Sequence, residues 1–187
     1  MESADQPLFR LLAGLGNPGR QYEKTRHNVG FMILDRLASR AGASFRLDAS
    51  WRAQIATQGN VIYCKPASYM NLSGEPVSSV SRFYKVPPSA VLVVLDDTAL
   101  PLGKLRFRPG GTSGGHNGLE SILVHVGNTP RLRVGIGSAD GADMIGHVLG
   151  KFSAEEKPLL EESLERAVEA IDFAQANGIQ AAMNKFN

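Results

Sequence analysis

Two histidines in the chain are each followed by an asparagine, His27-Asn28 and His116-Asn117, and neither pair lies in an apolar run. A histidine outside the core is free to move protons, and with a carboxylate partner it can act as a general base on water, an effect of about 10²–10⁴ in rate. Asp96 directly follows the apolar residues 91–95, at the carboxyl end of a strand covered on both faces, where ligands gather in open α/β sheets. Asn17, Asn71 and Asn117 offer uncharged amide donors for a polarised carbonyl and its developing oxyanion. The set can activate water against an ester. Loop-capping asparagines and a surface histidine would explain the same residues without chemistry.

Other chemistries have less support. The nucleophile motif G-x-S-x-G is absent, and Cys64 lies in the apolar-flanked run VIYC, so covalent catalysis has no candidate. No histidine pair has metal-ligand spacing; His125 falls on the outer side of its helix and His147 in a glycine-rich segment with no evident partner. Gly14, Gly16 and Gly19 spell G-x-G-x-x-G with Asp35 downstream, the pattern of a dinucleotide site. That mechanism needs a helix opening at the third glycine, whereas Pro18 precedes Gly19 and helical periodicity starts only near Asn28. The turn is better suited to presenting the Asn17 amide at a strand end.

The elements that must hold these residues follow from apolar period. Residues 8–13 read as an interior strand, and Val29, Ile33 and Leu37 with Leu34, Ala38 and Ala41 as a helix stopping near Gly42. Residues 52–57 and 61–65, separated by QGN, read as an antiparallel hairpin. Val77, Val80, Phe83 and Tyr84 share one side of a helix beginning near Ser73, which tolerates Pro76 in its first turn and ends at Pro87 and Pro88. After strand 91–95, residues 104–108 alternate basic and apolar, as on a strand with one wet face. The loop GGTSGGHNG then leads to a helix burying Leu119, Ile122, Leu123 and Val126, followed by a strand through Leu132, Val134 and Ile136. Ser153 and Glu156 form a capping-box pattern for a long helix reaching about Asn177, where Gly178 can stop it. The order predicts an α/β fold over residues 1–187, a single-domain three-layer sandwich of a mixed, twisted sheet with helices on both faces.

Composition bounds the partners. A net charge of +2 is small, but residues 1–150 hold 16 Lys/Arg against 11 Asp/Glu, whereas residues 151–187 hold four against seven. The surplus lies away from the C-terminal helix and is compatible with a polyanion on one side, although a chance asymmetry would look the same. The opening MESADQPLF lacks the plan of a secretory signal, no run approaches a membrane span, and the lone cysteine fits a reducing compartment. The expected address is the cytoplasm, with no membrane contact.

Three separated segments carry a specific resemblance: GLGNPGRQYEKTRHNVG at 14–30, KPASYMNLSG at 65–74 and GGTSGGHNGLESI at 110–122. Together they resemble the bacterial-type peptidyl-tRNA hydrolases. The resemblance implies one α/β domain, acting as a monomer with no required protein partner, that hydrolyses the ester between a peptide and the terminal ribose of tRNA without metal or organic cofactor. It implies His27 as the catalytic base and Asp96 as the acid that orients it. It further implies that Asn17, Tyr22, Met70, Asn71, His116 and Asn117 contact substrate, and that Arg106, Arg108 and Arg133 bind RNA, with Arg108 and Arg133 at the terminal phosphate. Met70 would otherwise read as core. One segment departs from the family pattern: a second acid expected in the stretch after Asp96 is Ala99 here. Two rival functions use the same fold or chemistry, an RNA-binding protein with reduced catalysis and an esterase for small N-blocked amino-acid esters. The intact His27, Asp96 and asparagines speak against the first, and the arginines are not needed by the second.

Overall fold

The computed structural model describes residues 6–139 and 143–187; residues 1–5, part of the opening read for a secretory signal, lie outside the described residues. Seven strands form one sheet: β1 (Leu11–Gly14), β2 (Arg46–Asp48), β3 (Ala53–Gln58), β4 (Val61–Pro66), β5 (Val91–Asp97), β6 (Leu105–Arg108) and β7 (Arg131–Gly135). Their order is β2-β3-β4-β1-β5-β7-β6. The middle four, β4, β1, β5 and β7, run parallel, while β2 and β3 on one side and β6 on the other pair antiparallel. The unbroken apolar runs of β1 and β5 occupy the interior because helices cover both of their faces.

On one face Leu12, Leu92, Leu132 and Val134 pack with α1 (Val29–Arg40), α5 (Lys157–Asn177) and α6 (Ile179–Phe186). On the other, Leu11, Val93 and Leu95 pack with α2 (Gly74–Phe83) and α3 (Asn117–His125). A short α4 (Met144–Leu149) lies beyond the end of β7. The mixed three-layer architecture is the one the element order predicts. No helix among the described residues is long and apolar enough to cross a membrane.

Glycines set how closely the layers meet at the strand ends. A Cβ on Gly30 would come within 2.5 Å of the Val94 carbonyl oxygen, and one on Gly14 within 2.6 Å of the Gly30 oxygen. The first turn of α1 therefore crosses β1 and β5 backbone to backbone, bringing the residues just before it over the carboxyl end of β5. No helix begins behind the G-x-G-x-x-G turn before Val29, apart from single 3₁₀ turns at Arg20–Tyr22 and Arg26–Asn28, which agrees with rejecting a dinucleotide cradle.

Several local expectations shift. The ladder of β1 starts at Leu11 instead of residue 8, because the main chain of Phe9 is bonded in both directions by the Gln175 side chain of α5, at 2.7 and 2.8 Å. Phe83 is 65% exposed and packs at an angle against Trp51 (4.9 Å) and edge-on against Tyr84, since the buried stripe of α2 is set by Val77 and Val80 and Phe83 falls at its edge. The capping box holds, with Ser153 and Glu156 exchanging side chain-to-backbone bonds of 2.7 and 3.2 Å. Cys64 is fully buried in β4, and burial pushes its thiol up to about 12.

Gly178 (φ +90°) ends α5 and also starts α6, which the sequence reading did not anticipate although Ile179, Ala182, Met183 and Phe186 have helical spacing. Beyond α6, the Asn187 amide accepts from the Phe107 N–H (2.7 Å) and donates to its carbonyl (3.1 Å), pairing with edge strand β6 as a strand would. Asn187→Ala is expected to cost about 1 kcal/mol of stability and to accelerate hydrogen exchange at the Phe107 amide. Unchanged exchange there would refute this edge role.

Candidate active site and arginine cleft

Asp96 is the last fully covered residue of β5, 2% exposed, and each of its carboxylate oxygens accepts one imidazole N–H. His27 Nδ1 lies 2.8 Å from Oδ2, and His116 Nε2 lies 2.8 Å from Oδ1. The two rings stand 5.1 Å apart at 50°. Burial alone would raise the Asp96 carboxyl; the charges and hydrogen bonds of His116 and His27 outweigh it and hold the group down to about 2.

The tautomers follow from the bonding pattern. His116 caps α3, its Nδ1 accepting from the Gly118 and Leu119 N–H groups at 3.1 and 3.2 Å, so its proton is on Nε2, facing Asp96. Both nitrogens of His116 are thus engaged within the protein. His27 donates from Nδ1, which leaves the lone pair of Nε2 without a bond to any described residue. His27, Asp96, His116 and Asn117 line one cleft of about 180 Å³, closed on one side by Met144, Ile145 and Val148 from the α4 region. His27, Asp96 and His116 also offer three metal-ligand atoms within 4.8 Å of one another, but a cation would have to displace the two N–H···O bonds that use those atoms.

The His27 turn is anchored from behind. Arg26 donates to the His147 carbonyl (3.3 Å) and to Glu156 (2.9 Å), and its own N–H bonds to the Gly150 carbonyl. Asn28, which the sequence reading used only as the neighbour of His27, is buried. Its amide accepts from Asn17 N–H (2.8 Å) and donates to the Asn17 carbonyl (2.9 Å), binding the glycine turn to the His27 turn. Asn17 in turn accepts through Oδ1 from the Met70 N–H at 2.8 Å. Met70 is buried, its sulfur against Gly118 at the start of α3; Asn71 is exposed on the adjoining 3₁₀ turn. Asn17 lines a neighbouring cleft of about 410 Å³ with Pro18, Asn28 and Lys65. Tyr22 is half-buried in its own 3₁₀ turn and lines neither cleft, its carbonyl holding Thr25.

The basic residues form a third cleft. In the ladder Arg106 pairs with Arg133 and Arg108 with Arg131, so all four point to the same side of the sheet. Arg106, Arg108 and Arg133 line a cleft of about 440 Å³ together with Asp97, Ala99 and the glycine loop. Asp97, Gly114 and Arg133 border both this cleft and the one holding His27, so the two adjoin. Asp97 bonds the Ala99 N–H at 2.8 Å and stands 3.7 Å from Arg133. Sequence reasoning missed the roles of Asn28, Asp97 and Arg131; the i, i+2 spacing of Arg131 and Arg133 opposite Arg106 and Arg108 was the available signal for the last.

Comparison with known proteins finds relatives over nearly the whole chain. The family described as Peptidyl-tRNA hydrolase matches residues 11–187. A protein of Akkermansia muciniphila named Peptidyl-tRNA hydrolase is 47% identical over 186 residues, covering 98% of this chain and 97% of its own length. One of Caldanaerobacter subterraneus subsp. tengcongensis, with the same name, is 48% identical over 182 residues, covering 95% and 98%. The crystal structure of peptidyl-tRNA hydrolase from Acinetobacter baumannii matches with a TM-score of 0.90 at 35% identity, over 98% of this chain and 96% of that one.

Because the Asp96 pKa is lower folded (about 2) than in an unfolded chain (about 3.9), its contribution to stability is complete above about pH 4 and is lost as pH falls through 2. Denaturant unfolding from pH 5 to 2 is expected to show a steeper loss for the parent than for Asp96→Asn. Parallel profiles would contradict the assigned shift.

Proposed function

The chain belongs to the peptidyl-tRNA hydrolase family, and from that premise we propose that it cleaves the ester joining a peptide to the terminal ribose of tRNA, with His27 activating the attacking water. It is a hydrolase acting on a tRNA substrate, and residues 1–187 serve as one catalytic unit. The observation that carries the mechanism is the 2.8 Å bond from His27 Nδ1 to buried Asp96, which leaves Nε2 as the basic nitrogen at the cleft. Nε2 takes a proton from water as the oxygen attacks the ester carbonyl. The amide of Asn117, exposed at the start of α3, steadies the tetrahedral oxyanion, with Asn17 and Asn71 on the peptide side. The protonated imidazole, stabilised by Asp96, then returns the proton to the departing ribose oxygen.

The supporting residues divide by what their atoms are free to do. His116 acts by fixing Asp96 and capping α3, which sets the position of Asn117 beside it. Met70 acts by holding Asn17 and filling the space against Gly118, and Tyr22 by shaping the turn before His27. Arg106, Arg108 and Arg133 bind the RNA end through phosphate contacts, largely independent of base sequence and weakened by salt. The reading sets the enzyme in the cytoplasm, working as a monomer without a protein partner, membrane or cofactor.

Asp96→Asn tests the tautomer argument. The cap on α3 requires His116 to keep its proton on Nε2, so the new carboxamide must turn its oxygen to His116 and its NH₂ to His27. His27 Nδ1 would then have to accept, and the proton would move to Nε2, the nitrogen that should receive one from water. Asp96→Asn and His27→Ala are both expected to lower kcat on N-acetyl-aminoacyl-tRNA by about 10²–10⁴, with the fold retained by circular dichroism. Near-parental turnover in either would refute its role. A side-by-side assay with N-acetyl-aminoacyl-tRNA, free aminoacyl-tRNA and a small N-blocked ester tests the substrate class: preference for the small ester would favour the esterase, and binding without hydrolysis the RNA-binding protein.

Ala99 leaves the arginine cleft with Asp97 as the one acid among its lining residues. Ala99→Asp is expected to raise KM for the full tRNA roughly fivefold, the effect of about 1 kcal/mol of unfavourable charge, without changing turnover of a minimal N-acetyl-aminoacyl ester. Equal KM values for parent and variant would remove the phosphate role from this cleft.

A further inference from the structure

Arg131 is fully buried, 0% exposed, on the sheet face where its ladder neighbour Val93 belongs to the apolar core. A charge in such a position is costly unless it is fully bonded. No carboxylate among the described residues pairs with it. Its donors instead reach oxygens of two loops: Nη1 bonds the carbonyls of Gly111 (2.9 Å) and Thr112 (3.1 Å), Nε and Nη2 bond that of Thr129 (3.0 and 2.8 Å), and Nη2 also meets Asn128 Oδ1 (3.1 Å). Desolvation and the nearby Arg133 both push its guanidinium pKa down, so the site holds a cation under strain from its surroundings.

The bonds to Gly111 and Thr112 orient two successive peptides. In a trans peptide the N–H points opposite to the C=O. The Thr112 carbonyl is held by Arg133 Nη2 (3.1 Å) as well as by Arg131, and with the Gly111 carbonyl drawn inward to Arg131 the N–H of Thr112 points away from Arg131 and has no bonding partner among the described residues. Gly111 (φ +125°) permits the turn, and exposed Thr112 lines the arginine cleft. An outward backbone N–H backed by a fixed positive charge favours an anion.

We infer that Arg131 is a positioning residue for the RNA end: it holds the 110–113 loop so that the Thr112 N–H and the side chains of Arg108 and Arg133 converge on one phosphate, and it supplies a permanent charge beneath them. The inference rests on the phosphate reading of the cleft given above. It separates Arg131 from Arg106, Arg108 and Arg133, because Arg131 touches no ligand and acts through the loop.

The test uses N-acetyl-aminoacyl-tRNA with and without its 5′-phosphate, and N-acetyl-aminoacyl-adenosine as a minimal ester, on the parent, Arg131→Met, Arg131→Lys and Arg133→Ala. The parent is expected to favour the phosphorylated tRNA in KM. Arg131→Met should raise KM for that substrate at least tenfold and bring the ratio between the two tRNAs to near one, while kcat on the minimal ester falls by no more than threefold. Arg131→Lys keeps the charge but loses the fork, and should lose part of the ratio; it also carries the test if Arg131→Met does not fold. A parental ratio in either Arg131 variant, or equal losses on tRNA and minimal ester, would overturn the inference. Arg133→Ala tells the two readings apart: if it too keeps the parental ratio, the phosphate reading has failed, whereas loss in Arg133→Ala alone refutes only the role of Arg131.

Discussion

One buried carboxylate, bonded by two imidazoles from two different elements, is the interaction on which the site depends. Asp96 could not stay ionised under the apolar layers of the sheet with a single weak partner, because burial pushes its carboxyl toward the neutral form. His27 and His116 together reverse that tendency. Each histidine is itself held elsewhere, His27 by a turn tied through Arg26 to the start of α5, His116 by the N–H groups of α3. The carboxylate therefore joins a strand end, a turn and a helix cap into one unit, and the proton positions are set by backbone geometry.

That unit lies over the sheet because two glycines let α1 cross β1 and β5 in backbone contact. The carboxyl ends of parallel strands then collect residues distant in sequence: Asn17 after β1, Met70 after β4, Asp96 in β5. The antiparallel addition of β6 to β7 has a different effect. It doubles the arginines on one side of the sheet beside the proposed ester site, and Arg133 borders both clefts. The proposed proton chemistry and phosphate attraction are thus adjacent, with Arg133 common to both clefts.

Much of this was legible in the chain. Apolar period gave six of the seven strands and four of the six helices among the described residues, all but β2, α4 and α6, and the position of Asp96 after five apolar residues located the strand end. What could not be read was the use of side chains by other side chains. His27 and His116 look alike in sequence, each followed by asparagine, yet one keeps a free nitrogen and the other has both engaged. Asn28 resembles a substrate amide and is a buried staple to Asn17, because its neighbour in space lies eleven residues back. Arg131 and Arg133 share one strand and one face, but the loop that buries the first and leaves the second at a cleft is twenty residues away. Phe83 and α6 depart for simpler reasons: Phe83 lies at the edge of the stripe set by Val77 and Val80, and the helical spacing of Ile179, Ala182, Met183 and Phe186 resumes only beyond Gly178.

The fate of Cys64 follows from the same layering. It is the one cysteine of the chain, sealed in a strand between two helical layers, and its thiol is held near 12, far above any cellular pH. The sulfur is then almost never the reactive thiolate and almost never reachable by an oxidant or a thiol reagent. A hydrolase whose proposed chemistry runs on imidazole, carboxylate and amide groups, with its only thiol locked away, offers no accessible thiol through which a shift in the surrounding redox balance could act.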